Sequence, residues 1–168
     1  MQSHGLNIRG LGSLSWGILA MLSGIILVAY QYLKKVTTLN RGTEFYEMVV
    51  AAGFDKKLAK FITAQAAHET GGFTSSIYRN NNNAFGMKYA GQGSAPGEKR
   101  GHAYYLTIQQ SIYDYKRWYD RRKTWFHYVP ALASINTFVN WLKTNRYFEA
   151  SLVSYQRGVE YYYNQIFV

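Results

Sequence analysis

The feature of the chain that most limits its fold is a run of 24 residues, Gly10 to Leu33, without a charged side chain. Leu, Ile, Val, Ala, Gly and Met make up most of its central part, from Leu14 to Tyr30. A helix rises about 1.5 Å per residue, so a helix of this length spans the hydrocarbon core of a bilayer, which is about 30 Å thick. The run predicts one membrane-spanning helix over residues 11–33.

The flanks of this run are typical of a retained anchor rather than of a cleaved signal peptide. Trp16 lies near one end and Tyr30 and Tyr32 near the other, where interfacial aromatic residues belong. A signal peptide has a shorter apolar core and a cleavage site of small residues, which residues 34–36 do not supply. We therefore predict a transmembrane anchor, preceded by a short tail at residues 1–10.

The rest of the chain is basic and has no cysteine. The sequence of 168 residues has 19 Lys and Arg against 9 Asp and Glu, a net charge of +10. From Val36 onward the excess is still +7, because only three basic residues and no acidic one precede it. Such a surface attracts polyanions, such as nucleic acid, anionic lipid or acidic cell-wall polymers. The lack of cysteine excludes disulfides and cysteine metal sites.

The part of the chain after the anchor divides into a linker and a domain. The segment of residues 34–42 is short and mostly polar, and we predict that it is a linker. Residues 43–168 are long enough for one domain with a hydrophobic core. Thr43 is a candidate N-cap for the first helix of this domain, and Gly53 is its candidate C-terminal stop.

The predicted domain is mainly helical with one small β element. Apolar residues at helical spacing predict helices from Ile108, after Pro130 and near the C-terminus. From Phe73 to Arg100, Asn, Gly and Pro replace that spacing, which predicts a loop and a short hairpin. The predicted fold class is mainly α, in the α+β sense, with a small β-hairpin lobe and one N-terminal transmembrane helix.

The second helix of the domain carries a glutamate in its last turn. Asp55 is a candidate N-cap, and Glu69 falls on the apolar face, with Leu58, Phe61, Ile62 and Gln65. Glycines at 71–72 end the helix. A carboxylate in this place is partly desolvated, which favours the neutral form that a general acid needs near neutral pH. The alternative is an outward-facing Glu69 that pairs with a cation such as Arg79 or Lys88.

Three short motifs follow one another along this domain. The helix ends in A-Q-A-x-x-E-[ST]-G, residues 82–88 read N-N-x-F-G-x-K, and residues 105–115 are similar to Y-x-S-x-x-x-S-x-x-D-Y, with Thr107 at the first serine. This ordered set resembles the bacterial and phage endo-β-N-acetylglucosaminidase family of peptidoglycan hydrolases, within the lysozyme-like superfamily. The resemblance extends from about Thr43 to about Tyr119, and more loosely to the C-terminus.

The resemblance implies a glycosidase that cleaves a β-1,4 bond of the GlcNAc-MurNAc backbone, with Glu69 as general acid. The family uses a carboxylate of the hairpin lobe as a second group, and Glu98 is the acid between Glu69 and Asp114. The hairpin is short here, and His102 and Ala103 replace the family's basic-aromatic pair. If Glu98 is not catalytic, the acetamido group of the substrate assists instead.

The other motifs imply further site residues. Tyr105 matches the active-site tyrosine of the family and would orient the sugar or stabilise developing charge. Asn83, Phe85 and Gly86 match the substrate-binding turn: the amide would bind an N-acetyl group, the ring would stack or pack, and the glycine would serve the backbone. The resemblance implies no cofactor and no metal. Asp114 is expected to be structural.

Other functions remain as alternatives. Glutamate chemistry that forms an anhydro sugar would make the protein a lytic transglycosylase, and a wet, salt-bridged Glu69 would favour a non-catalytic glycan-binding module. His68 and Glu69 begin a zinc-protease motif, but Gly72 stands where its second histidine should be. The expected partners are peptidoglycan strands and the lipid bilayer, and nucleic acid is not expected.

The expected localisation is a single-pass membrane protein, in the inner membrane or a virion membrane, whose catalytic domain faces the wall. The charges near the anchor weakly oppose this side, because Lys34, Lys35 and Arg41 outnumber Arg9 and the amino terminus. Insertion from a virion membrane delivered to a cell surface would remove the conflict. The expected role is local lysis of the wall, or entry.

Overall fold

A computed structural model describes residues 11–125 and 134–168, which divide into two compact units between Thr37 and Thr38. The helices are α1 (Leu11–Ala51), α2 (Lys56–Glu69), α3 (Ser76–Asn81), α4 (Ile108–Trp125), α5 (Ile135–Thr144) and α6 (Leu152–Phe167). The strands are β1 (Gly97–Lys99) and β2 (His102–Tyr104). The predicted class, mainly helical with a β-hairpin and a long N-terminal apolar helix, is confirmed.

The first unit consists of the apolar part of α1. Its large side chains from Ile18 to Leu33 are exposed, including Ile25 and Val28, each at 66%. A helix this long and apolar is able to cross a membrane, and a signal sequence has the same properties. The predicted tail at residues 1–10 lies outside the described part of the chain.

Residues 34–42, which were predicted to form a linker, are helical and belong to α1. Gly42 does not stop the helix; a Cβ there would lie only 2.7 Å from the side chain of Ile166, so the glycine allows close packing. Thr43 is not an N-cap either, since its hydroxyl donates to the carbonyl of Leu39 at 3.0 Å, one turn back. The polar Thr and Asn residues of this segment suggested a loop, but the segment has no proline that would interrupt a helix.

The second unit, residues 38–168, has one main hydrophobic core around α2. Every residue of α2 from Phe61 to Ala67 is buried, while α1 contributes Phe45 and Val49. The predicted helices after α3 are present, and they bury Ile112, Tyr115, Phe138, Val139, Leu142, Tyr155 and Val159. Pro130, expected to precede α5, lies outside the described residues. The core thus surrounds the helix that carries Glu69.

The region from Phe73 to Arg100 contains a helix that the sequence did not predict. α3 begins after Ser75, whose side chain accepts from the amide of Tyr78 at 3.1 Å, and six residues are too few to show a helical period. The hairpin also extends past Arg100, since β1 and β2 pair with Glu98 opposite Ala103. The side chain of Asn81 donates to the carbonyl of Lys99 at 2.6 Å and so joins α3 to the hairpin.

Candidate active site

The end of α2 is held in place by a tight network of hydrogen bonds. Asp55 caps its first turn as predicted, accepting from the amide of Leu58 at 2.9 Å. At the other end the hydroxyl of Thr70 donates to the carbonyl of Ala66 at 2.6 Å and accepts from the amide of Phe73 at 3.0 Å. The carbonyl of Phe73 in turn accepts from Arg41 at 2.7 Å. Glu69, the last helical residue, therefore starts from a fixed backbone.

The carboxyl group of Glu69 is partly buried and has no cationic partner among the described residues. The ion pairs of Lys116 with Asp120 and of Arg117 with Asp114 do not involve it. Glu69 instead accepts a hydrogen bond at Oε1 from the hydroxyl of Tyr155, at 2.5 Å. Burial raises the pKa of Glu69, and the bond from Tyr155 opposes that rise without cancelling it. Pairing with a cation, the alternative for this glutamate, is not what the structure has.

Tyr155 is a site residue that sequence reasoning missed. It lies 86 residues beyond Glu69, and the sequence placed it only on the apolar face of the last helix. The side chain is 4% exposed; Phe148 stacks on its ring at 3.7 Å, and the ring of His68 meets it edge-on at 4.8 Å. No local motif could have indicated this contact, since it depends on how α6 packs on α2.

The N-x-F-G turn lies beside Glu69. Gly86 has a positive φ of 61°, and a Cβ there would lie 3.8 Å from Oε2 of Glu69. Phe85 is buried, with its ring stacked on Tyr115 at 4.0 Å. The turn thus brings the backbone of Gly86 to the free oxygen of the glutamate, while the ring of Phe85 packs in the core.

Asn83 holds this turn together. Its amide nitrogen donates to the carbonyls of Met87 and Ala103, both at 2.9 Å. Its amide oxygen accepts from the backbone amides of Phe85 at 3.3 Å and Met87 at 3.1 Å. The side chain is fully buried. In this conformation Asn83 orders the turn and docks β2 onto it, with its amide groups already paired.

Tyr105 belongs to a separate hydrogen-bond cluster. Its side chain is fully buried, and its hydroxyl donates to Oδ2 of Asp114 at 2.6 Å. Asp114 also accepts from Gln92 at 3.2 Å and from Arg117 at 2.8 Å. Burial, followed by the bond to Asp114, raises the pKa of Tyr105. This cluster ties the loop around Gln92 to α4, which is the structural role expected for Asp114.

Glu98 is not brought to Glu69 by any hydrogen bond or ion pair between described residues. It lies in β1 opposite Ala103, with an exposed side chain. The groups that surround Glu69 are tyrosines instead. Burial raises the pKa of Tyr115 and of Tyr147, and the negative charge of Glu69 adds to both rises. Both hydroxyls are therefore close enough to interact electrostatically with this carboxylate.

The resulting arrangement can donate a proton. A carboxyl group with a raised pKa, hydrogen-bonded at one oxygen and next to Gly86 at the other, has the properties of a general acid. Within residues 11–125 and 134–168, no group of three or more His, Asp or Glu side chains is placed to hold a metal ion. The chemistry that these residues allow is proton donation from a carboxyl group with tyrosines around it.

Comparison with known protein families assigns the chain to a family. The family model Glucosaminidase, described as mannosyl-glycoprotein endo-beta-N-acetylglucosaminidase, matches residues 51–166, more than two thirds of the chain. Comparisons with curated proteins and with solved structures gave no match. The matched range contains Glu69, Gly86, Tyr105 and Tyr155 and supports a glycoside hydrolase that acts on peptidoglycan. The chain belongs to the glucosaminidase family.

Proposed function

We propose that this protein cleaves the β-1,4 bonds of the GlcNAc-MurNAc backbone of peptidoglycan, with Glu69 as the general acid. The observation that carries the proposal is the state of the Glu69 carboxyl group: partly buried, raised in pKa, and without a cation beside it. A surface Glu or one in an ion pair would be ionised at neutral pH and unable to donate a proton to the leaving oxygen.

The N-x-F-G turn is the proposed floor of the substrate site. Gly86 lets a sugar approach Oε2 of Glu69 closely, because it has no side chain in that space. Asn83 and Phe85 act through this turn: the amide fixes its shape, and the ring anchors it against Tyr115. Their role in binding is to hold the backbone groups of the turn in place, and their side chains do not contact the sugar.

The group that deals with the developing positive charge on the sugar is proposed to be the acetamido group of the substrate. Two-carboxylate glycosidases place their carboxyl groups within about 10 Å of each other, and substrate-assisted enzymes are an exception. Glu98 is exposed on the hairpin, and no hydrogen bond or ion pair within residues 11–125 and 134–168 orients it towards Glu69. It remains the alternative as second carboxylate, and Tyr105 remains the family-matched tyrosine, acting through the cluster around Asp114.

The second candidate is a lytic transglycosylase, in which a glutamate acts without a second carboxylate and the product is an anhydro sugar. Tyrosines surround Glu69, and no other acid contacts it among the described residues. This environment is compatible with the transglycosylase alternative. A non-catalytic glycan-binding module is the third, and the raised pKa of Glu69 argues against it.

Residues 11–33 are proposed to anchor the enzyme in a membrane, with the catalytic domain on the side that faces the wall. The exposed apolar surface from Ile18 to Leu33 supports a membrane anchor, and the side follows from the need to reach peptidoglycan. An anchored enzyme reaches only nearby strands, which suits local wall lysis or entry.

Product analysis tests the function. The full-length protein in detergent is incubated with purified sacculi, and the new sugar ends are identified by mass spectrometry. Reducing GlcNAc ends support the glucosaminidase, whereas reducing MurNAc ends indicate a muramidase. Anhydro-MurNAc ends would replace the proposal by the transglycosylase, and binding without any released product would leave only the glycan-binding module.

A further inference from the structure

The two carboxyl oxygens of Glu69 have different surroundings. Oε1 accepts the hydrogen bond from Tyr155 at 2.5 Å, on the side of α6. Oε2 lies on the side of the N-x-F-G turn, where a Cβ on Gly86 would be 3.8 Å away. One oxygen therefore accepts a hydrogen bond from the protein, and the other faces Gly86, which has no side chain.

We propose that Tyr155 is a positioning residue that selects Oε2 of Glu69 as the oxygen that carries and donates the proton. This inference rests on the proposed function, since it needs Glu69 to be the general acid. When Tyr155 donates to Oε1, that oxygen takes the carbonyl role, and the acidic hydrogen resides on Oε2, on the side where substrate would approach.

Bond cleavage starts with proton transfer from Oε2. The O–H bond at Oε2 breaks, its proton joins the glycosidic oxygen, and its electron pair stays on the carboxylate. The acetamido oxygen of the substrate bonds to the anomeric carbon as the bond from that carbon to the glycosidic oxygen breaks, and the leaving sugar departs as a neutral alcohol. Water then attacks the anomeric carbon, the bond to the acetamido oxygen breaks, and the water gives a proton back to the carboxylate of Glu69. Throughout, the hydrogen bond from Tyr155 stabilises the negative charge that appears on the carboxylate.

The packing of Tyr155 suits a fixed donor. Phe148 covers its ring in a parallel stack, with 2° between the planes, and His68 meets the ring at 89°. Burial, followed by the charge of Glu69, raises the pKa of Tyr155, so the hydroxyl keeps its proton. Gly158, one turn further along α6, lies so close to the ring of His68 that no Cβ would fit. This close approach of α6 to α2 lets the Tyr155 hydroxyl reach Glu69.

The other titratable groups around Glu69 do not replace this bond. Tyr115 from α4 and Tyr147 from the segment after α5 feel its charge. On α2 itself, burial lowers the pKa of His68, which favours its neutral form. The contact from Tyr155 is the one that lowers the pKa of Glu69 against the effect of burial.

Tyr155→Phe tests the inference, because it removes the hydroxyl and keeps the ring stack. Activity on dye-labelled sacculi is measured against pH for the full-length protein, at limiting and saturating substrate. A general acid works only while protonated, so activity falls as the pH rises through the pKa of Glu69. Loss of the donor raises this pKa, and the alkaline limb of the profile moves to higher pH. The maximal rate falls roughly tenfold, since the carboxyl group is no longer fixed.

The matched control is Tyr163→Phe, two turns along the same helix. Its ring contacts Phe61 and Phe167, at 5.8 Å and 5.4 Å, so the variant removes a hydroxyl from α6 away from Glu69. Its pH profile should match that of the original protein. A profile for Tyr155→Phe that equals the one for Tyr163→Phe would overturn the inference.

A second replacement keeps the test valid if Tyr155→Phe folds poorly. Site-specific 3-fluorotyrosine at position 155 retains the ring and hydroxyl but is a stronger donor, so the alkaline limb should move to lower pH. An unmoved limb contradicts the inference. Glu69→Gln distinguishes a failure of the proposed function from a failure of the role of Tyr155. If Glu69→Gln stays active, the proposed function fails. If Glu69→Gln is inactive but the pH profiles of the Tyr155 variants do not move, only the role of Tyr155 is refuted.

Discussion

Gly158→Ala is the substitution whose effect follows most directly from the packing of α6 on α2. In the interior of a helix, Ala is favoured over Gly by about 1 kcal/mol. At this position, however, the added methyl group would overlap the imidazole ring of His68. His68 can move away only by giving up its edge-on contact with the ring of Tyr155, at a centroid distance of 4.8 Å. Overpacking costs about 1–3 kcal/mol, and overlap with three atoms of one ring places Gly158→Ala in the upper part of that range, at about 2–3 kcal/mol.

The net expectation for Gly158→Ala is a loss of about 1–2 kcal/mol in the free energy of unfolding, after the gain in helix propensity. For a unit of this size that corresponds to a fall in Tm of roughly 4–8 °C. Because the methyl group pushes α6 away from α2, the bond from Tyr155 to Glu69 lengthens, and the maximal rate falls as well. Thermal unfolding by circular dichroism and the rate of sacculus digestion measure the two effects.

Gly93→Ala is the matched control for this experiment. A Cβ on Gly93 would meet nothing within 4 Å, and this variant should keep the Tm and activity of the original protein. If Gly158→Ala proves as stable as Gly93→Ala, or more stable than the original protein, the close packing of α2 and α6 is not as described, and the support for a fixed Tyr155 is lost.

Three further predictions concern Asp114, the pH dependence of stability at Glu69, and the predicted anchor. Asp114→Ala should lower the free energy of unfolding by about 1–3 kcal/mol, because it leaves the buried hydroxyl of Tyr105 without its acceptor; chemical denaturation measures this, and no loss would argue against a structural cluster. The raised pKa of Glu69 favours the folded state below the pKa of the unfolded chain, and this contribution is lost as the pH rises through the folded-state pKa. Glu69→Gln should therefore become more stable relative to the original protein between acid and neutral pH, whereas a constant difference in Tm would exclude the shift. For the predicted anchor at residues 11–33, protease added to intact spheroplasts or virions should digest the C-terminal domain, and protection until the membrane is opened would place it on the other side.

The sequence predicted the parts of the site that depend on local patterns. Asp55, the apolar spacing of α2 and the glycines at 71–72 define a helix that ends at Glu69, and these features lie within 18 residues of one another. A raised pKa for Glu69 followed from its place on a buried face. The N-x-F-G turn also folds beside that glutamate, as its place in the family pattern suggested.

The rest depends on contacts between distant segments. Tyr155 reaches Glu69 across 86 residues, and periodicity describes only the face that it occupies. The same limit applies to Asn83, since a buried amide and a sugar-binding amide look alike in a sequence. The helical state of residues 34–42 was missed for a different reason: a glycine such as Gly42 usually weakens a helix, but here it permits contact with Ile166.

The turnover of Glu69→Gln on sacculi tests the central claim most directly. Glutamine keeps the shape of the side chain and can still accept from Tyr155, but it cannot donate the proton that leaves with the glycosidic oxygen. The account predicts a folded protein that binds sacculi and whose rate of bond cleavage is lower by roughly 10²- to 10⁴-fold, while Glu98→Gln loses much less. Full activity in Glu69→Gln, with intact fold and binding, would contradict the account.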